Sequence, residues 1–222
     1  MKKFSGILIL FALIAVLLPS QIFACACCAE RGDYYLRESV PEEYLLSEIQ
    51  RIGLASAVLH TDAGYPESVV GINPLGESFS VKGALTGKKF RFEFTDDKSR
   101  SAILILSRPE KIEEFGVDQE PLSESGAVIL YKEMRFKSKV QSATGFLKNG
   151  IDSETTYNLI LQGRGNHCTN AEDFSSYILQ VTGKKARYSF FGKLNASQDV
   201  VLQMAGEDHG VKAVVHNRTH DN

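Results

Sequence analysis

The sequence predicts an all-β fold, an antiparallel β-sandwich of the jelly-roll type with one short helix near its amino end. Apolar and polar residues alternate with a period of two, as in strands with one buried face, over 79–94, 130–137, 157–161 and 177–194. Turn-forming residues such as Gly87 and the pair Asn149-Gly150 separate these segments. No helical pattern follows each strand, so a parallel α/β fold is not expected.

The first 24 residues have the three parts of a signal peptide. Lys2 and Lys3 form the basic start, and an apolar run covers 7–18. The helix breaker Pro19 and the small residue Ala24 then match the region of a signal-peptide cleavage site. The apolar run spans about 18 Å as a helix, which is short of the ~30 Å hydrocarbon core of a membrane. We therefore expect the chain to be exported, and to be periplasmic, secreted or lipid-anchored to the cell envelope.

The remaining chain has a length that a β-sandwich uses as one domain. We expect a cysteine-containing arm over 25–40, one domain over 41–205, and a final strand and tail over 206–222. The formal net charge of the whole chain is −2, so there is no basic excess for phosphate contacts and no nucleic-acid partner is expected. A membrane would be contacted only through lipidation of a cysteine at the cleavage site.

The predicted helix covers about 41–51. Ser39 and Glu42 have the spacing of a capping box, and apolar residues then recur on one helical face at Leu45, Leu46 and Ile49. Beyond this helix the strands begin.

Among the strands, the clearest pattern has three phenylalanines that alternate with three charged residues. Phe90, Phe92 and Phe94 are expected in the core, and the residues expected to face solvent are Lys89, Arg91 and Glu93. Segment 102–106 is apolar on both faces and predicts a central strand. Met134 and Phe136 lie between charged residues and predict a half-exposed strand.

Two short stretches concentrate the residues that could carry chemistry. "ACACCAERGDYY" places Cys25, Cys27 and Cys28 close together at the start of the arm. "QGRGNHCTNAEDF" lies between two strands and contains His167 and Cys168; its candidate loop-site residues are Asn166, Asn170, Glu172 and Asp173. The alternative for this loop is a structured turn, because Thr169 and Glu172 also have capping-box spacing.

At these two stretches the chain resembles secreted bacterial proteins that begin with a C-x-C-C-A element and carry a G-R-G-N-x-C-T-N-A-E-D-F segment. The resemblance covers the two stretches and a similar strand order between them. It implies export and suggests that Cys168 and the amino-terminal cysteines belong together, but it implies no activity.

The cysteines have three possible fates. Four cysteines allow three disulfide pairings, of which Cys25–Cys28 with Cys27–Cys168 is sterically easiest. The alternative is a thiol-based site for Cu(I) or Zn²⁺, with ligands drawn from Cys25, Cys27, Cys28, His167 and Cys168. Lipidation or free thiols are the third fate.

Enzymatic motifs are absent from the sequence: it has no Gly-x-Ser-x-Gly elbow, phosphate loop or His-Glu-x-x-His. A Cys168 nucleophile activated by His167 is disfavoured, because adjacent side chains point apart in an extended chain. We therefore expect a binding or structural module for an envelope or extracellular ligand, without a cofactor. Its arm would be held by a disulfide to the 163–175 loop, and the metal-binding envelope protein is the alternative.

Overall fold

The computed structural model describes residues 26–61, 75–122 and 126–196. The predicted signal segment 1–24, Cys25 and the predicted strand and tail at 206–222 lie outside these ranges. Within the described part of the chain, no helix has both the length and the apolar composition needed to cross a bilayer.

The described residues form ten strands, one α-helix and two short 3-10 turns. The strands are β1 (Tyr34–Ser39), β2 (Ile52–Thr61), β3 (Leu75–Ala84), β4 (Lys89–Thr95), β5 (Ser101–Ser107), β6 (Ile112–Val117), β7 (Leu130–Ala143), β8 (Thr156–Gly165), β9 (Phe174–Thr182) and β10 (Arg187–Ala196). The helix α1 covers Glu43–Gln50, and the 3-10 turns cover Gly145–Gly150 and Ala171–Asp173.

The sheet is antiparallel throughout, as predicted, but it closes into an eight-stranded barrel and is not a sandwich. Its strands follow the order β7-β5-β4-β3-β2-β10-β9-β8, and β8 pairs with β7 again. β7 makes the closure possible because it is long: it pairs with β8 over most of its length, and near its end Val140 pairs with Leu106 of β5. The sandwich prediction was wrong because inward and outward residues alternate in the same way in both architectures.

The first half of β7 also carries a three-stranded extension of the barrel wall, formed with β6 and β1. β6 pairs with β7 from Glu113 opposite Arg135 to Val117 opposite Tyr131, and β1 pairs with β6. We call β1, β6 and residues 130–136 of β7 the extension. One of its faces continues the barrel interior, and the other continues the outer surface.

The barrel interior is filled with side chains. Phe90, Phe92 and Phe94 are completely buried, as predicted, whereas Lys89 is exposed and Arg91 and Glu93 are half-buried in an ion pair with 2.9 Å between Nη1 and Oε2. Other interior residues that are completely buried are Leu59, Leu104, Leu106, Phe136, Leu159, Leu179 and Phe190. The interior of an eight-stranded barrel is just wide enough to be filled by side chains in this way.

The helix lies where the sequence predicts one, with slightly tighter bounds. Leu45 and Ile49 are buried in the core cluster. The predicted Ser39–Glu42 capping box is not formed: Glu42 is the N-cap and its side chain makes no capping hydrogen bond. Ser39 is still in β1, and its hydroxyl donates to Glu114.

The connection from β7 to β8 also differs from the prediction. The sequence predicts a tight turn at Asn149-Gly150, but residues 145–150 form a 3-10 turn. Gly145 has φ of +59° and lies directly on the backbone of Ser101, where a Cβ would collide. The chain therefore changes direction at Gly145, and Asn149 and Gly150 continue the turn.

Candidate binding site at the arm and the 163–175 loop

A disulfide joins the amino-terminal arm to the 163–175 loop. Cys27 and Cys168 are bonded, with their Cα atoms 4.9 Å apart. The His167 backbone N–H also donates to the Cys27 carbonyl at 3.0 Å. The prediction that one sulfur of the cysteine cluster is bonded to Cys168 is confirmed at Cys27. The predicted Cys25–Cys28 pair stays a prediction, because Cys25 lies outside the described residues. Cys28 is exposed beside this bridge.

Further backbone contacts hold the arm in place after Cys27. Ala29 forms an isolated bridge with Val128. The buried Asp118 carboxylate accepts the Gly32 N–H at 2.9 Å, and the Asp118 N–H donates to the Asp33 carbonyl at 2.8 Å. These bonds fix the position of the chain just before β1, so that β1 pairs with β6 in one register.

Beneath the disulfide lies a buried lysine that the sequence analysis missed. Lys132 of β7 is only 2% exposed, and its Nζ donates to the Cys168 carbonyl at 2.7 Å and to Asp173 Oδ2 at 2.9 Å. The Nζ also lies 6.0 Å from the centre of the Phe174 ring. The Lys132–Asp173 ion pair holds the loop against β7, and the disulfide holds the loop against the arm.

Asp173 also closes the 3-10 turn that follows the disulfide. Asn170 and Asp173 form a capping box, in which Asp173 Oδ2 accepts the Asn170 N–H at 3.2 Å. The capping box predicted from Thr169 and Glu172 is therefore displaced by one residue. The Asp173 carboxylate packs on Gly165, where a side chain would displace it. The glycine that interrupts the strand pattern leaves room for this carboxylate.

Two of the other loop-site candidates, Asn170 and Glu172, contact residues in or next to α1, and Asn166 does not. Asn170 Oδ1 accepts the Tyr44 hydroxyl at 2.9 Å. Glu172 is exposed and pairs with Arg51 at 2.6 Å. Asn166 has a buried side-chain oxygen that accepts no hydrogen bond from the described residues. The loop therefore brings Asn170 and Asp173 together in one network, and Glu172 and Asn166 lie outside it.

His167 forms a dyad with Asp33 from the arm. Its Nε2 lies 2.8 Å from Asp33 Oδ2, and its ring centre is 5.9 Å from that of Tyr35. The Glu30 N–H lowers the pKa of Asp33; burial partly opposes this shift, and the hydrogen bond with His167 adds to it. The dyad orients the imidazole beside the disulfide.

A groove of about 350 Å³ opens between the extension and the loop. We call it the arm–loop groove; its polar lining residues are Arg37, Ser39, Glu42, Tyr44, Glu114, His167 and Thr169. Glu114 is buried at its base and accepts hydrogen bonds from Arg37 at 2.8 Å and from Ser39 at 2.7 Å. A carboxylate has about four acceptor positions, so Glu114 can accept further hydrogen bonds from a bound molecule.

The structure also bears on the predicted metal ligands. Cys27 and Cys168 share a disulfide, so in this state their sulfurs are not thiolates. Among the residues that the structure describes, no group of three or more His, Cys, Asp or Glu side chains could hold a metal ion. The alternative of a Cu(I) or Zn²⁺ site with ligands drawn from Cys25, Cys27, Cys28, His167 and Cys168 stays a prediction, and Cys25 lies outside the described residues.

No family model, curated protein or solved structure matches the chain.

Proposed function

We propose that this protein is an exported binding module that holds a small polar ligand in the arm–loop groove. The observation that carries the proposal is the disulfide between Cys27 and Cys168, because it attaches the arm to the loop and thereby builds both walls of the groove. The module belongs to the periplasm, the extracellular space or the envelope surface.

Two features support export. The first 24 residues have the pattern of a signal peptide, and disulfides persist in oxidising compartments outside the cytoplasm. The bridged residues are separated by 141 positions in the chain. The bond therefore connects two segments that are distant in the chain.

The charge of the groove favours a ligand that donates hydrogen bonds. Glu42 and Glu114 outnumber the single cation Arg37, whose guanidinium is already paired with Glu114. The Tyr44 side chain and Thr169 add further oxygen atoms. Ligands with several hydroxyl or amine groups, such as amino sugars, fit an acceptor-rich groove of this volume.

The intact mass of the exported protein tests the first half of the proposal. The full chain is expressed with its own leader, recovered from the periplasm or medium, and weighed before and after reduction with alkylation. We expect a mass that lacks the leader and carries the Cys27–Cys168 bond. An uncleaved, fully reduced protein in the cytoplasm would overturn export.

Ligand-dependent thermal stabilisation tests the groove. Glucosamine, glucose and spermidine are titrated against the wild type, Glu114→Gln and the exposed control Glu154→Gln. We expect glucosamine to raise the Tm of the wild type and the control in a saturable way, with the rise much reduced in Glu114→Gln. A Tm that none of the three compounds changes, or an equal rise in all three proteins, would contradict the assignment.

A further inference from the structure

We propose that two copies of this chain associate in solution through their β1 strands, which pair antiparallel about a two-fold axis at Leu36. The sheet would then continue from one molecule into the other. In the described chain, β1 has one unpaired edge, is exposed and is anchored at both ends, and its sequence matches itself when paired antiparallel.

In the described parts of the chain, no strand pairs with the outer edge of β1. β1 pairs with β6 on one side only, with Tyr35 opposite Gly116. The Asp118 N–H donates to the Asp33 carbonyl, and antiparallel backbone groups alternate in direction. The N–H and C=O groups of Tyr34, Leu36 and Glu38 therefore point away from β6, and they bond to no backbone group in the described parts of the chain.

The strand is also exposed and held at both ends. Tyr34 is 65% and Leu36 is 54% exposed. The disulfide at Cys27 fixes the chain before β1, and α1 fixes it afterwards through the buried Leu45. A strand that is already ordered loses little conformational entropy when it accepts a partner.

The sequence of β1 matches itself in one register. With the axis at Leu36, the two copies of Leu36 lie opposite each other, Tyr34 lies opposite Glu38, and Tyr35 lies opposite Arg37 of the second copy. The Arg37 guanidinium already makes a cation–π contact in its own chain, where it lies 5.3 Å from the centre of the Tyr35 ring. Tyr35 of the second copy can accept the same kind of contact. An axis at Glu38 would instead place two carboxylates opposite each other, which is destabilising.

The outer face adds an apolar patch across the axis. The Tyr34 ring packs edge-on against Phe115 of β6 at 5.8 Å between centres, and Leu36 is opposite Phe115 in the sheet. Pairing would join two such patches at Leu36. β1 has no proline and no bulge, which are common protections of a sheet edge. Its two charged residues, Arg37 and Glu38, are already paired with Glu114 and Lys111. Because one short strand buries little area, we expect weak, concentration-dependent association.

Cysteine crosslinking tests the register. In the full oxidised chain, Leu36→Cys places two thiols on opposite residues, about 5.5 Å apart between Cα atoms. Glu38→Cys places them about 14 Å apart. With a short thiol-specific crosslinker, we expect a covalent dimer from Leu36→Cys above the wild-type background, and none from Glu38→Cys or Tyr34→Cys alone. A mixture of Tyr34→Cys and Glu38→Cys should crosslink.

Light scattering after size exclusion tests the association itself. The wild type should move from one towards two chain masses as concentration rises, and Leu36→Lys, which places like charges on the axis, should stay at one. A wild-type protein that is monomeric up to about 0.5 mM would overturn the proposal. Equal crosslinking of Leu36→Cys and Glu38→Cys would overturn the register.

Discussion

The barrel and the extension with its arm and loop are stabilised in different ways. The barrel interior is packed with apolar and aromatic side chains, such as Phe94 against Phe190 with ring centres 4.1 Å apart. The arm–loop region depends on a disulfide, the buried Lys132–Asp173 pair and the hydrogen bonds that Glu114 accepts from Arg37 and Ser39. Stability in the barrel is shared among many contacts, whereas in the arm–loop region it depends on a few partners that are distant in sequence.

The largest effect is expected in the barrel. Phe92→Ala removes a completely buried ring and should lower the free energy of unfolding by about 3–5 kcal/mol, since the cavity adds to the lost burial. Phe191→Ala is the matched control, because Phe191 lies on the outer face and is 45% exposed. A denaturant titration measures both. A loss below about 1 kcal/mol for Phe92→Ala would remove this ring from the core.

In the arm–loop region, the largest expected effect comes from breaking the buried ion pair. Asp173→Ala leaves Lys132 buried without its carboxylate and should cost about 3 kcal/mol. Its neighbour Glu172 is an exposed carboxylate in the same 3-10 turn, so Glu172→Ala should cost below about 1 kcal/mol. Equal losses in a denaturant titration would mean that Lys132 finds another partner or water.

The sequence predicted most strands of the barrel because each burial choice is local, but it did not predict β2. A period of two in 79–94 or 157–161 suffices to place a side chain inside or outside. Closure was not predictable in this way. It depends on β7 pairing with β5 at one end and with β8 along its length, and those pairings join segments that are distant in sequence. The same alternation serves a sandwich and a barrel.

The candidate site was predicted in part. The bond between Cys27 and Cys168 belongs to the disulfide pairing that was sterically easiest among the three that four cysteines allow, with a metal site as the alternative. Lys132 and Glu114 were missed because charged residues on strands were assigned to solvent. A signal existed: Lys132 has the same parity as Met134 and Phe136, and Glu114 has the same parity as Ile112, so both lie on buried faces. β1 was missed because it lies in a segment interpreted as an arm.

Loss of the disulfide should affect one region selectively. The double variant Cys27→Ser with Cys168→Ser opens a loop of 141 residues and should cost about 2–3 kcal/mol. Amide hydrogen exchange should rise in residues 26–33 and in β1, while β9 and β10 keep their protection. A uniform rise over the whole barrel would show that the bridge stabilises the molecule globally and would remove the distinction between the two regions.

The smallest effect concerns Tyr131, at the start of β7 where the barrel and the extension meet. Its hydroxyl donates to Glu133 at 2.6 Å and accepts from Gln162 at 2.8 Å. Burial and the bond to the Glu133 carboxylate raise the pKa of Tyr131 to about 12, compared with about 10 for a free phenol. The pKa of Tyr131 is higher in the folded chain than in the unfolded chain. The stability that Tyr131 contributes is therefore fully present below a pH of about 10 and is lost as the pH rises towards 12.

Denaturant titrations across that pH window can isolate this contribution. The difference in unfolding free energy between the wild type and Tyr131→Phe should shrink from pH of about 10 to about 12, since the phenylalanine has no proton to lose. Burial also raises the pKa of Tyr188 in the barrel well above its ordinary value, but without a carboxylate partner among the described residues. Linkage depends on the pKa shift and not on its cause, so Tyr188→Phe should also weaken the pH dependence of stability over this window. A constant difference between the wild type and Tyr131→Phe would show that the Tyr131–Glu133 bond leaves the phenol as acidic in the folded chain as in the unfolded one. The hydrogen bond from the Tyr131 hydroxyl to Glu133 would then not raise the pKa of Tyr131 in the folded chain.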